Sequence, residues 1–211
     1  MSTAGTAREA IFRSIRNNLK SGRGPRSVET YEINSPVDRS FVSLITEFKE
    51  NLETVGAFCS IVTRDEAAAQ LQTIVSEAGI EVTVFSDSPL IRDLVGEQKD
   101  FEDRVGLSTD DLFNCVVGIS TAQWGIAETG TLVLESASER HRLVSLVPPV
   151  HVCVVEACNI RGTMAEILDL VSVEANRAIT FITGASRTSD IELTLAIGVH
   201  GPAELRVIVI S

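Results

Sequence analysis

Aromatic side chains, closely spaced cysteines and long apolar runs are all scarce in this chain of 211 residues. Only 5% of the residues are aromatic, so the core must be built mainly from Val, Ile, Leu and Ala. That composition suits a buried sheet covered by helices. No apolar run reaches membrane-spanning length, and no N-terminal apolar segment of the signal-peptide type is present. We therefore expect a cytoplasmic protein without a membrane span.

Basic residues are also few, 18 against 29 acidic residues, which leaves a formal net charge of -11. Nucleic acid is not expected as a partner, because neutralising phosphates requires a concentrated basic surface. The segment 8–26 is the exception, with six basic residues and one acidic residue. It could touch an anionic partner, but we favour a solvated helix face followed by a linker.

Metal-binding and nucleotide-binding motifs are missing as well. The four cysteines, at positions 59, 115, 153 and 158, form no C-x-x-C pair, and the three histidines, at 141, 151 and 200, have no zinc spacing. G-x-S-x-G and G-x-G-x-x-G are both absent. We therefore expect no metal and no cofactor in this chain.

Hydrophobic periodicity indicates an α/β protein. Residues 7–20 predict an amphipathic helix, and the Gly/Pro/Ser segment 21–27 predicts a linker, so we divide the chain into 1–36 (helix and linker) and 37–211 (α/β domain). Strands and helices then alternate, beginning with a helix over 37–55, which predicts a mostly parallel central sheet flanked by helices. We also expect a local antiparallel hairpin between Thr131–Glu135 and Leu143–Val147.

The segment 118–151 concentrates the polar candidates between strand-like runs. Glu128 lies in a Gly-rich turn, where a carboxylate can act as a nucleophile or general base. It can equally accept backbone N–H bonds that stabilise the turn, and the sequence favours neither alternative. Trp124, in the same turn, is more typical of a core plug than of a pocket wall.

Two arginines and a histidine follow this turn. Arg140 and Arg142 would project to one side of an extended segment and suit a carboxylate or phosphate; the alternative is ion pairing with Glu135 or Glu139. His151 follows Pro148-Pro149 at a strand start, where histidine is usually structural, although it could titrate near neutral pH.

A second polar segment follows the strand-like run AITFI. Thr183, Gly184 and Ser186 resemble an anion-binding loop of backbone N–H groups and hydroxyls, without the lysine of a P-loop. Arg187 follows directly. Asp190 could belong to the site or simply cap a helical turn.

Together these segments resemble the lactate-utilization protein C family, whose shared unit is the LUD domain. The resemblance rests on three stretches: Ile126–Thr131, Arg142–Pro148 with His151, and Thr183–Glu192 with Gly198–Pro202. Ala185 stands where the family typically has proline, which loosens that loop but keeps its hydroxyls.

The resemblance implies a fold similar to the NagB/RpiA/CoA-transferase-like group. It also implies a subunit or accessory role in oxidising L-lactate to pyruvate, with iron–sulfur clusters carried by partner proteins. The expected ligand is a small carboxylate or other anion, held by residues from all three stretches: Thr129, Gly130, Arg142, His151, Thr183, Gly184, Ser186, Arg187 and Asp190.

Two further hypotheses stay open. Glu128-Thr129-Gly130 is similar to the Glu-Asn-Gly that holds the nucleophile of CoA transferases, which implies a CoA-transferase-like or ligase-like enzyme using Glu128. Alternatively, the chain is a structural or regulatory partner that docks through its helix Ala7–Lys20.

Overall fold

The computed structural model describes residues 7–20, 40–96, 101, 104–105, 107–139, 141–171, 178–188, 196–197 and 201–211. The chain divides into two units, Met1–Ser35 and Pro36–Ser211. The first unit contains the helix α1 (Ala7–Lys20), with the bounds that its apolar spacing predicts.

The second unit alternates helices and strands. In chain order these are α2 (Phe41–Thr54), β1 (Phe58–Val62), α3 (Arg64–Ala78), β2 (Thr83–Phe85), α4 (Pro89–Val95), α5 (Thr109–Leu112), β3 (Val117–Thr121), β4 (Trp124–Ile126), β5 (Thr131–Glu135), β6 (Val150–Glu156), β7 (Ile160–Arg161), α6 (Met164–Leu170), β8 (Ile179–Ile182), β9 (Arg187–Thr188), β10 (Ala196–Ile197) and β11 (Glu204–Ile210).

The main sheet has five strands in the order β1-β11-β6-β3-β2, and every pair is parallel. Its strands are short runs of Val and Ile, as expected for strands buried on both faces. The α/β fold with a parallel sheet is therefore confirmed. The helix α3 between β1 and β2 begins with a capping box between Thr63 and Glu66 and ends at Gly79, the predicted C-cap.

Side chains of this sheet alternate between two cores. On β6, Cys153 and Val155 belong to the core shared with α2 and the second sheet, whereas Val152 and Val154 belong to the core under α3 and α4. This is the two-residue period of a strand. Both faces of the sheet are therefore covered, and α2 packs directly on one of them.

The second sheet, in the order β7-β4-β5-β8, is mixed, and the sequence did not predict it. Only β7 and β4 are parallel; β5 is antiparallel to β4 and to β8. The two-residue and three-residue strands β7 and β4 are too short to show periodicity. A separate antiparallel pair joins β9 and β10.

The expected hairpin between Thr131–Glu135 and Leu143–Val147 is wrong in its second strand. The segment Arg142–Ser145 is a 3-10 helix, and the N–H groups of Leu146 and Val147 both donate to the carbonyl of Leu143. Pro148 and Pro149 cannot donate to a sheet ladder, which disfavours an extension of this segment as a strand. The partners of β5 are instead β8 and β4, and the sequence predicts a turn where β4 lies.

Candidate functional site

The Ala127–Gly130 turn rests directly on the backbone of α2. Gly130 has a left-handed φ of 60°, and a Cβ atom there would lie 2.4 Å from the backbone nitrogen of Leu52. The side-chain amide of Asn51 donates to the carbonyl oxygen of Ala127 over 2.7 Å. The positive φ and the lack of room for a Cβ atom therefore both require glycine at position 130.

The loop that begins at Thr183 rests on the end of the same helix. Gly184 has a φ of 82°, and a Cβ atom there would lie 2.7 Å from the carbonyl oxygen of Val55. Arg187 donates to that same carbonyl over 3.0 Å, which satisfies one of the unpaired carbonyls at the helix end. Two polar segments more than fifty residues apart in the sequence thus meet at the C-terminal end of α2.

A row of threonine hydroxyls joins the two segments. Thr131 Oγ1 lies 2.7 Å from Thr129 Oγ1 and 2.7 Å from Thr183 Oγ1. Thr131 is buried, whereas Thr129 and Thr183 are exposed. The row therefore ends in exposed hydroxyls on both segments. Two of its three protons are used within the row, so one of the two terminal hydroxyls at a time can donate to an anion.

Ser186 connects this region with the start of β11. Its N–H donates to the carbonyl of Pro202 over 2.8 Å. A Cβ atom on Gly201 would lie 3.2 Å from Ser186 Oγ and 3.9 Å from the carbonyl oxygen of Leu146. Gly201 therefore packs between Ser186 and the backbone of Leu146.

Glu128 is exposed and binds the start of a helix. Its Oε1 accepts the N–H of Met164 over 2.8 Å, and its own N–H donates to the carbonyl of Gly162 over 3.1 Å. The first N–H groups of a helix have no partner inside the helix, so this carboxylate satisfies one at the start of α6. The contact favours the stabilising role over the nucleophilic one.

His151 is fully buried on β6. Its Nε2 lies 2.8 Å from Ser120 Oγ, and its Nδ1 has no hydrogen-bond partner among the described residues. Burial lowers the pKa of His151 to about 4, so the imidazole is neutral at pH 7. This environment favours the structural alternative over titration near neutral pH.

Arg142 is exposed on its 3-10 helix and lines a cavity of about 330 Å³ together with residues near α5. None of the three threonines lines this cavity. Asp190, Arg140 and His200 lie outside the described residues, so their predicted roles stay predictions.

Glu139 is a buried acid that the sequence did not single out. Only 2% of its surface is exposed, and its carboxylate accepts hydrogen bonds from the N–H and the hydroxyl of Thr121, at the carboxyl end of β3. Burial raises the pKa of Glu139. The sequence indicates this residue only as an ion-pair partner of the arginines. Because Glu139 lies in the charged stretch Glu139–Arg142, the sequence pattern does not indicate that its side chain is buried.

Trp124 packs as a core plug, as the sequence favoured. It is partly buried against the cluster around Ile167 on α6, and its Nε1 donates to Glu135 Oε1 over 2.7 Å. The guanidinium of Arg161 lies 5.1 Å from the ring centroid. Glu135, the other expected partner of the arginines, is thus bound to this indole.

Metal-ligating side chains are dispersed over the described part of the chain, where no three His, Cys, Asp or Glu residues are grouped. Burial raises the pKa of Cys59 to about 11 and also raises the pKa of Cys115 and Cys153. No helix among the residues that the structure describes is long and apolar enough to cross a membrane.

The motifs and the fold agree with comparisons to known proteins. Residues 45–210 match the model of the LUD domain. The chain belongs to the LUD domain family. It is 32% identical to the lactate utilization protein C of Deinococcus radiodurans over 92% of both chains. It is 36% identical to the lactate utilization protein C of Bacillus subtilis over 45% of this chain and 42% of that protein.

A crystal structure of a DUF162 family protein from Deinococcus radiodurans shares the fold of this LUD domain. The TM-score is 0.61 at 23% identity, with 82% of this chain and 99% of the other covered. The resemblance to the lactate-utilization protein C family is confirmed by the matched domain and relatives. The threonine row, Gly130 and Gly184 all lie within the matched LUD domain.

We predict that Gly130→Ala destabilises the LUD domain more than Gly96→Ala. Both glycines have a positive φ, but a Cβ atom on Gly96 would meet nothing within 4 Å. Gly96→Ala should cost about 1–3 kcal/mol for its backbone alone, because a φ of 69° with a ψ of -157° is a conformation that almost only glycine adopts. Gly130→Ala should cost roughly 1–3 kcal/mol more because it displaces α2. Urea unfolding of both variants measures the difference; equal losses would contradict the close packing of this turn on α2.

We also predict that His151 makes the LUD domain less stable as the pH falls. The unfolded state binds a proton at His151 with a pKa near 6.5, whereas the native state does so only at about 4. The contribution of neutral His151 to the free energy of unfolding is therefore fully present above about pH 6.5 and is lost as the pH falls towards 4. Relative to His151→Gln, the wild type should lose about 2 kcal/mol of unfolding free energy between pH 7 and 5.

The comparison with His151→Gln isolates the histidine from Glu139. The raised pKa of Glu139 acts in the opposite direction, because its native carboxyl takes up a proton at higher pH than the unfolded one. Glu139 makes this contribution in the wild type and in the His151→Gln variant, so it cancels when the two are compared. Parallel stability curves for the wild type and the variant would show that His151 is not buried in its neutral form.

Proposed function

We propose that this LUD domain protein is the non-redox subunit of an L-lactate utilization system, acting with iron–sulfur partner proteins. The observation that carries the proposal is the similarity to a lactate utilization protein C along 92% of both chains. Oxidation of lactate to pyruvate releases two electrons and two protons, and in this proposal the partners' clusters accept the electrons.

The cysteines support this division of labour. An iron–sulfur cluster is held by thiolates. Burial raises the pKa of Cys59, Cys115 and Cys153, which keeps these thiols protonated at neutral pH. Forming a thiolate at any of the three therefore carries an additional cost in this fold.

In this proposal the subunit binds a small carboxylate or other anion beside the threonine row. While the row is intact, the exposed hydroxyl of either Thr129 or Thr183 can donate a hydrogen bond to the anion. Arg187 has further N–H donors besides the one bound to Val55, and its charge offsets the negative end of the α2 dipole. The family resemblance also implies Asp190 as a ligand, whereas Arg142 lines a cavity to which none of the three threonines contributes.

Four finer assignments belong to the same proposal. The fold is related to the NagB/RpiA/CoA-transferase-like group, and residues 1–36 are an appendage whose amphipathic helix α1 (Ala7–Lys20) offers a docking element for a partner. The LUD domain comprises residues 37–211 in this proposal, and the protein lies in the cytoplasm.

We predict that deleting the gene abolishes growth on L-lactate as sole carbon source and that the tagged full-length chain recovers iron–sulfur proteins from lactate-grown cells. The recovered complex should reduce an artificial electron acceptor when L-lactate is added. Normal growth of the deletion strain, with no iron–sulfur protein recovered, would rule out this role.

The same strain separates this role from a CoA-transferase-like activity through Glu128. Glu128→Gln keeps an oxygen that can accept the N–H of Met164, so the fold should be retained. We expect this variant to restore growth on lactate as well as the exposed-surface control Glu77→Gln does. Loss of growth with Glu128→Gln alone would instead support a nucleophilic Glu128.

A further inference from the structure

A cavity of about 330 Å³ lies beside Arg142, on the α2 side of the parallel sheet. Its walls come from two separate elements, α5 with the residues before it and the 3-10 helix Arg142–Ser145. The apolar part of the wall consists of five aliphatic side chains: Leu107, Leu112, Leu143, Val144 and Leu146. This volume is at the lower end of the range of small-molecule pockets, about 300–1,000 Å³.

The polar part of the wall contains a permanent positive charge, that of Arg142. Arg142 and His141 line the cavity, and no acidic residue is among the described side chains that do. The guanidinium of Arg142 forms no ion pair with any described residue, unlike Arg64, which binds Asp93 at 2.5 Å. A permanently protonated guanidinium presents a planar fork of donors that matches a carboxylate.

Packing fixes the position of this wall on the sheet. A Cβ atom on Gly118 would lie 2.0 Å from the carbonyl oxygen of Val144 and 3.0 Å from Pro148 Cγ. The side chain of Val144 is buried in a cluster with Leu112, and Ser145 Oγ donates to the carbonyl of Arg142 over 2.9 Å. The backbone that carries Arg142 is thus seated directly on β3.

We infer that this cavity binds a monocarboxylate whose hydrocarbon part is longer than that of lactate. The carboxylate would bind Arg142 at the mouth, and the hydrocarbon part would contact the five aliphatic side chains. A single guanidinium matches a single negative charge, and a three-carbon acid would leave most of the apolar wall uncovered. This inference is argued from the walls of the cavity and does not depend on the proposed role in lactate oxidation.

The test is isothermal titration of the full-length protein with butanoate, hexanoate and octanoate. Each buried methylene is worth about 0.8 kcal/mol, so the Kd should fall about fourfold for every CH₂ added until the cavity is filled. Hexan-1-ol should bind about tenfold more weakly than hexanoate, because it lacks the charge-assisted bond to Arg142.

Variants identify the cavity as the binding site. Arg142→Gln should weaken hexanoate binding about tenfold and leave hexan-1-ol binding unchanged. Arg64→Gln is the matched control, since it removes another exposed arginine, which pairs with Asp93 near α3 on the opposite face of the sheet. It should not change either affinity. A melting temperature close to that of the wild type establishes that each variant is folded.

Three results would overturn the inference. These are no measurable binding of any of the three acids, an affinity that does not depend on chain length, or a hexanoate affinity that Arg142→Gln leaves unchanged. L-lactate binding at this site as tightly as hexanoate would equally contradict it. The growth and co-purification experiments do not involve these ligands. Failure of the titrations therefore leaves the proposed role in lactate utilization standing, and failure of the growth and co-purification experiments leaves the inference about this cavity standing.

Discussion

The close approach of α2 to two distant turns is the contact on which the described site depends. Gly130 faces the backbone of Asn51 and Leu52, and Gly184 faces the carbonyl of Val55, with no space for a Cβ atom at either point. The hydrogen bond from Asn51 to Ala127 fixes the first turn, and Arg187 fixes the second. Because α2 also packs on the parallel sheet, both turns are attached to the core through one helix.

This contact gives the two glycine-containing motifs a physical explanation that needs no ligand. Glycine is required at both turns because the helix backbone occupies the space of a side chain. Glu128 has a comparable structural use at the start of α6. What the packing leaves available for recognition is the exposed hydroxyls of Thr129 and Thr183, which lie on the solvent side of this contact.

The parallel sheet was predictable because its strands are runs of Val and Ile bounded by turn residues. The convergence of the two motifs was implied only by the family resemblance, since periodicity does not report which segments meet. The 3-10 helix at Arg142–Ser145 was interpreted as a strand because its apolar residues are consecutive. Burial of Glu139 is set by Thr121, eighteen residues away, and no local pattern encodes that contact.

Hydrogen exchange tests most directly whether α2 holds both turns. The comparison is between the wild type and Asn51→Ala, which removes the hydrogen bond to Ala127. We expect amide protection to fall together in segments 48–56, 124–135 and 179–187, as in one cooperative unit, with α3 and α4 on the other face unchanged. A loss of protection confined to residues 127–130, with 179–187 unaffected, would contradict the dependence of both turns on this helix.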